Sequence, residues 1–352
     1  MNKIIRVLVV DDSAFVRKVV KEMLSRSPFI EVVGAARDGN EALEMVERLN
    51  PDVVTLDLIM PGLDGVGFLK EQMERRPLPV VIASIASESG ERALEALDAG
   101  AVDFVQKPTA LSTEKVFEIA DDLIEKVKTA GEISINQVRV RPSPEAAPSV
   151  PVSSIRAERV DAVVMGISTG GPPALKSLIP QLPKTFPVPM AMVLHMPEGF
   201  TKLYAGQLDR ISHLRVKEAE EGDEFIPGTV LLARAGRHLK FKRETDGRVL
   251  AHLDARPFDT PHRPSVNVLF ESAADIFHDR VLGVVMTGMG SDGKEGAAWI
   301  KSQGGLIITE AEETCVVYGM PGEAVKLNGA GHVLSPEKIT VFLNSINKTP
   351  QK

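Results

Sequence analysis

Between residues 6 and 128 the chain alternates short apolar runs with stretches in which apolar residues recur every three or four positions. The runs Arg6–Val10, Glu31–Ala35, Val53–Leu56, Val80–Ala83 and Asp103–Val105 predict strands. Between them Ala14–Leu24, Asn40–Leu49, Gly65–Met73 and Glu91–Ala99 predict helices, and Thr113–Lys128 closes the unit. Strands that are apolar nearly throughout are covered on both faces, so this alternation predicts a doubly wound parallel sheet. From Arg139 to Ser154 both periods vanish, and Pro142, Pro144, Pro148 and Pro151 stand among Ser, Ala and Val. That is the composition of a semi-extended linker. Alternation then resumes, with strands predicted at Val160–Gly166, Val188–Leu194, Thr229–Ala233, Val281–Thr287 and Leu306–Thr309. The expected organisation is α/β, with two doubly wound parallel-sheet domains. They cover residues 1–130 and 159–347, joined by a Pro-rich linker at 131–158 and followed by a polar tail at 348–352.

Composition changes this picture little. The chain has 352 residues and a net charge of -7, which gives no support for nucleic-acid binding. Its single cysteine, Cys315, cannot form an internal disulfide and fits a reducing compartment. Followed by Val316-Val317, that thiol reads as a small buried hydrophobe. The apolar run Ile4–Val10 stops at Asp11-Asp12, too early for a signal peptide, and no run is long enough to insert into a bilayer. The expected location is the cytoplasm. Met165, Met190, Met192, Met286 and Met289 read as core filling and cleft lining.

Candidate chemistry gathers at predicted strand ends. Asp11-Asp12 follow the first strand, Asp57 ends the third, Ser84 the fourth, and Lys107-Pro108 follow the fifth. In a doubly wound sheet these positions converge on the carboxyl edge. Clustered carboxylates repel one another unless a cation lies between them, and hard oxygen ligands suit Mg2+. Asp57 then becomes a candidate nucleophile toward a phosphoryl group, with Lys107 and the Ser84 hydroxyl stabilising the transferred oxygens. Asp11-Asp12, the run Leu56-Asp57-Leu58-Ile59-Met60-Pro61-Gly62-Leu63-Asp64-Gly65, Ser84 and Lys107-Pro108 together resemble the receiver domain of two-component response regulators. The resemblance implies a flavodoxin-like fold, Asp57 as phosphoacceptor, Mg2+ held by Asp11, Asp12 and Asp57, and Phe104 at the aromatic switch position. It also implies a cis bond at Lys107-Pro108.

The second domain opens three readings. Gly166-Ile167-Ser168-Thr169-Gly170 fits the G-x-S-x-G nucleophile elbow, with Asp292 as acid and either His332 or His195 as base. His195 is favoured because Ser168, His195 and Asp292 all follow predicted strands. Gly288, Gly290 and Gly293 also fit a dinucleotide fingerprint, with Glu310 near where a ribose-binding acid is expected. Asp292 inside that turn opposes a pyrophosphate at the following helix start. A P-loop is ruled out because Glu295 stands where Ser or Thr would hold the metal. A non-catalytic adaptor that only binds a partner protein is the third reading.

The segments Gly166–Pro172, His195-Met196-Pro197, His262-Arg263-Pro264-Ser265-Val266, Thr287–Gly293 and Tyr318-Gly319-Met320-Pro321 resemble the chemotaxis protein-glutamate methylesterase domain. With the receiver, the resemblance spans nearly the whole chain. It implies that Ser168 attacks the γ-carbonyl of a methylated glutamate, with His195 as base, Asp292 as its orienting partner and methanol released. Thr169 and Met289 are the candidate oxyanion donors, and His262 lines the cleft. Deamidation of glutamine at the same site, a methylated chemoreceptor as substrate and a histidine kinase as phosphodonor are implied too. So is a gate, in which the unphosphorylated receiver covers the catalytic cleft. Asn267 departs from the family, where a carboxylate is common, and is expected to touch none of the catalytic trio.

Overall fold

The computed structural model describes residues 3–84, 86–107, 113–133, 160–328 and 331–346. The chain divides into two compact units, Met1–Pro142 and Ser143–Lys352. The Pro-rich stretch, Pro108 with its expected cis bond, and the tail lie outside the described residues.

The first unit runs β1 (Ile5–Val10), α1 (Ala14–Leu24), β2 (Ile30–Ala36), α2 (Gly39–Leu49), β3 (Val53–Leu56), α3 (Gly65–Arg75), β4 (Val80–Ser84), α4 (Ala86–Asp98), β5 (Asp103–Gln106), α5 (Thr113–Glu132). Its five-stranded sheet has the order β2-β1-β3-β4-β5, with every pairing parallel. Ser13, Asp38 and Asp64 start α1, α2 and α3 by accepting hydrogen bonds from backbone N–H groups of the first turn. The strand order reverses between β1 and β3, and a crevice opens beyond the carboxyl ends of the strands at such a reversal. Asp11 and Asp57 stand there.

The second unit runs β6 (Ala162–Ile167), α6 (Gly171–Leu178), β7 (Met190–Leu194), α7 (Phe200–Ile211), β8 (Arg215–Glu218), β9 (Thr229–Leu232), β10 (His238–Arg243), β11 (Val249–Asp254), α8 (Val266–Phe277), β12 (Val281–Val285), α9 (Lys294–Ser302), β13 (Leu306–Glu310), α10 (Met320–Asn328), β14 (His332–Leu334) and α11 (Pro336–Asn344). Seven strands make a parallel sheet in the order β14-β13-β12-β6-β7-β9-β8. β6, β7 and β12 are buried along their whole length, as central strands covered on both faces must be. The order reverses between β6 and β12, so the crevice lies between the ends of these strands.

Two features, β8 and the pairing of β10 with β11, are absent from the sequence-based outline. β8 buries one residue, Val216, of its four, and so carries no apolar run. β14 is a short edge strand. β10 and β11 form an antiparallel hairpin outside the large sheet, closed through Asp246-Gly247. Alternating residues around an Asp-Gly pair are a hairpin signal that the sequence does carry. Among the described residues, no helix is long and apolar enough to cross a membrane.

Candidate functional site

At the carboxyl edge of the first sheet, Lys107 Nζ lies 2.5 Å from Asp11 Oδ2 and 2.8 Å from Asp57 Oδ2. All three side chains are buried, whereas Asp12 is exposed. Burial pushes the Asp11 carboxyl above its ordinary range, and the Asp57 charge adds to that while the Lys107 ammonium opposes it. Single carboxylate oxygens of Asp11, Asp12 and Asp57 lie within 4.8 Å of one another, which suits a small hard cation. Phe104 is buried, and Lys126 Nζ donates to its carbonyl at 2.7 Å. Ser84 closes β4, and its side chain lies outside the described residues.

At the switch point of the second sheet, β6 ends into the Ser168 turn. Ser168 N–H donates to the Thr287 carbonyl (3.0 Å), and Gly171 N–H donates to the Ser168 carbonyl (2.7 Å). Gly170 takes φ 78°, a left-handed conformation that starts α6. Gly288 has to lack a side chain, because a Cβ there would stand 2.8 Å from Ser168 Cβ. Thr169 follows the serine directly and Met289 follows Gly288, so both border this turn.

Thr287 ties the turn together. Its hydroxyl donates to the Thr169 carbonyl (3.0 Å) and accepts from Val317 N–H (3.0 Å). Its own N–H donates to Glu310 Oε2 (2.9 Å). Glu310 is only 1% exposed and is committed to this backbone, so the acid that the dinucleotide reading requires is not available to a ribose. Burial, with Glu337 adding, pushes the Glu310 carboxyl up to about 7, against the Thr287 N–H and the Thr314 hydroxyl.

Because its folded-state value is raised, Glu310 keeps its proton better in the folded chain than in the unfolded one. The contribution is fully present below the ordinary value of 4.5 and is lost as pH rises through about 7. The upper bound of that loss is about 3 kcal/mol. Calorimetry at pH 5 and pH 8 is expected to show Glu310→Gln losing less stability than the wild type across the interval. Equal losses would remove Glu310 as the source.

His195 directly follows β7, and its backbone N–H donates to the Ile167 carbonyl (3.2 Å), which stands it beside the serine turn. His195 Nε2 and Asp292 Oδ2 are 2.9 Å apart, with the His195 side chain 9% exposed. Burial alone would raise the Asp292 carboxyl. The His195 partner and the N–H groups of Asn267 and Val266 overcome burial and hold it at about 2. Asp292 is thus ionised at neutral pH and Nε2 carries the proton, which leaves Nδ1 as the basic nitrogen. Nδ1 is buried and has no hydrogen-bond partner among the described residues. The His262 ring stacks on His195 with centroids 4.0 Å apart. His332 opposes Ile308 in the outermost strand, with β13 and β12 between it and β6.

Nothing in the sequence discloses the contacts that support Asp292. Ser265 Oγ (2.8 Å) and Asn267 N–H (3.0 Å) donate to Asp292 Oδ1, and Val266 N–H donates to Oδ2 (2.8 Å). Asn267 therefore does touch the trio, through its backbone, contrary to expectation. The reason is the start of α8, which points its free N–H groups at the carboxylate. His238, fully buried at the start of β10, accepts from Ser265 N–H through Nδ1 (3.2 Å) and sits 3.0 Å from the Pro257 carbonyl through Nε2. The hairpin thus anchors the loop that carries His262.

The CheB methylesterase family model matches residues 163–343, and the response regulator receiver domain model matches residues 7–116. A Myxococcus xanthus relative named protein-glutamate methylesterase/protein-glutamine glutaminase 5 is 52% identical over 92% of this chain and 92% of its own. A Thermotoga maritima relative named protein-glutamate methylesterase/protein-glutamine glutaminase is 42% identical over 96% of this chain and 97% of its own. The crystal structure of the Thermotoga maritima CheB methylesterase catalytic domain covers 53% of this chain and 99% of its own length, with 44% identity and a TM-score of 0.52.

Proposed function

The chain belongs to the CheB methylesterase family and carries a response regulator receiver domain, and from that premise we propose that Ser168, His195 and Asp292 form its catalytic triad. It is a phosphorylation-regulated protein-glutamate methylesterase and protein-glutamine glutaminase of chemotaxis signalling. Residues 1–130 are assigned to the receiver, 131–158 to the linker, 159–347 to the catalytic domain and 348–352 to the tail. The single observation that carries the assignment is the buried pair of His195 Nε2 and Asp292 Oδ2 beside the Ser168 turn.

Ser168 Oγ attacks the γ-carbonyl carbon of the methylated glutamate and gives its proton to His195 Nδ1. Asp292 stabilises the imidazolium that forms. The Thr169 and Met289 amides receive the oxyanion, and His262 walls the cleft. When the intermediate collapses, the methoxy group leaves with the proton from His195 as methanol. Water then gives a proton to His195 and attacks the acyl ester, and Ser168 leaves with that proton restored. A glutamine follows the same route, with ammonia in place of methanol.

In the receiver, Asp57 accepts the phosphoryl group from a histidine kinase. Asp11, Asp12 and Asp57 would hold Mg2+, which supplies positive charge to the transferred oxygens. Lys107 and Ser84 bind those oxygens, and Phe104 occupies the switch position. The esterase half needs no cofactor. The substrate is the cytoplasmic domain of a methylated chemoreceptor, which assigns the reaction to the cytoplasm.

The test is methanol release from methylated receptor with and without acetyl phosphate. Release is expected to rise with the phosphodonor in the wild type. Asp57→Asn is expected to take up no acid-labile phosphate and to show no such rise. Continued labelling of this variant moves the phosphosite elsewhere, and no methanol from the wild type in either condition defeats the esterase reading.

A further inference from the structure

Helices α8 and α9 both begin without a side-chain cap from their own N-cap residues, Ser265 and Gly293. Each is capped by the other's segment. Asp292, at the entry to α9, accepts the N–H groups of Val266 and Asn267 in the first turn of α8. Asn267, in that first turn, accepts Gly293 N–H (2.9 Å) and Gly296 N–H (2.8 Å) of α9 through Oδ1. Its Nδ2 donates to Glu295 Oε2 at 2.8 Å. Only a neutral amide makes this set. A carboxylate has no donor for Glu295, and an ammonium has no acceptor for the two N–H groups.

We propose that Asn267 is a positioning residue of the triad. Its side-chain amide locks the two helix starts together, so that Asp292 stays aimed at His195 Nε2, and its neutrality limits how strongly the site favours imidazolium. The proposal rests on the triad assignment above. It goes further by giving a residue outside the trio control over the pH at which the base becomes available.

Two consequences separate aim from charge. Removing the acceptor frees Gly293 and Gly296, so the turn carrying Asp292 shifts, and a small misplacement of a catalytic group is costly in rate. Adding a charge keeps the acceptor but places a carboxylate beside Glu295 and Asp292. A further negative charge near His195 favours its protonated form. The other groups facing this pair are His262, stacked on His195, and His238, hydrogen-bonded to Ser265. Arg263 and Lys240 also act on His238, and Glu271 on α8 feels both Asp292 and Glu295. All of these residues are retained in the three proteins compared, and of them Glu271, one turn along α8 from position 267, is the one that a new charge there also meets.

Full-length wild type, Asn267→Leu and Asn267→Asp are compared with acetyl phosphate present. Methanol release from a methylated receptor fragment is followed across pH, and the His195 ring is titrated by 15N NMR. Asn267→Leu is expected to lose about 10- to 100-fold in kcat with KM unchanged. Asn267→Asp is expected to recover most of that loss at high pH. Its acid limb and its His195 titration should both move up by about 0.5 to 1 pH unit. Wild-type kcat in the leucine variant, or a His195 titration in Asn267→Asp that overlays the wild type, overturns the proposal. If Asn267→Leu does not fold by circular dichroism, the ring titration of Asn267→Asp decides alone. The titration needs no turnover, and the wild-type rate independently tests the esterase reading, so the two failures are distinguishable.

Discussion

Replacing Ser168 by alanine is expected to lower methanol release by about 10⁴- to 10⁶-fold, with thermal stability and far-UV circular dichroism unchanged. The hydroxyl lies at a partly exposed position, and the hydrogen bonds that hold its turn run through the backbone to Thr287 and Gly171. Its removal therefore takes away the proposed nucleophile without disturbing the scaffold. The remaining turnover over water would come from substrate binding and the Thr169 and Met289 amides, which survive in the variant. Unchanged release from Ser168→Ala would end the covalent mechanism. The same variant should lose glutamine deamidation in proportion, because the proposed mechanism takes both reactions through one acyl-enzyme.

The second large effect discriminates between two histidines. His195→Ala is expected to lose about 10⁴-fold, because proton transfer and imidazolium stabilisation disappear together. His332→Ala should stay within about twofold, the range of a surface-edge change. His332 begins β14, three strands from β6. At ~4.8 Å per strand it stands about 14 Å from the nucleophile turn across the sheet, beyond proton-transfer reach. An essential His332 with a dispensable His195 would transfer the base to the other residue. In His195→Ala, Asp292 keeps the donors from Ser265, Val266 and Asn267, so a loss of activity there reports the imidazole and not a collapsed acid.

Much of this arrangement is legible in the sequence because it depends on strand ends. Val53–Leu56 and the start of α1 at Ala14 agree with the observed bounds, since an all-apolar run and a Ser13 cap are local signals. Ser168, His195 and Asp292 are legible for the same reason, each standing in the turn just beyond an apolar run. The features that the chain does not disclose are held by contacts between distant segments. Asp292 takes its donors from residues 25 to 27 positions away, and nothing local in Ser265-Val266-Asn267 announces a carboxylate partner. Glu310 looks like a ribose ligand by spacing, and only the packing of β13 beside β12 turns it toward Thr287. β8 is invisible for a different reason: an edge strand with one buried residue has no apolar period to read.

Thr287 has a consequence for how activity appears in time. Its hydroxyl reaches Thr169 across 118 residues of chain, its N–H reaches forward to Glu310, and Val317 closes onto it from beyond β13. The nucleophile turn is therefore finished late. Contacts of such long sequence separation repay their loop-closure entropy only once they form, and folds that depend on them are slow to complete. A nascent or truncated chain that ends before Glu310 can hold the serine, the histidine and the aspartate and still lack a shaped elbow. Refolding should show helical signal returning ahead of ester hydrolysis, so that partly assembled molecules carry Ser168, His195 and Asp292 in silence.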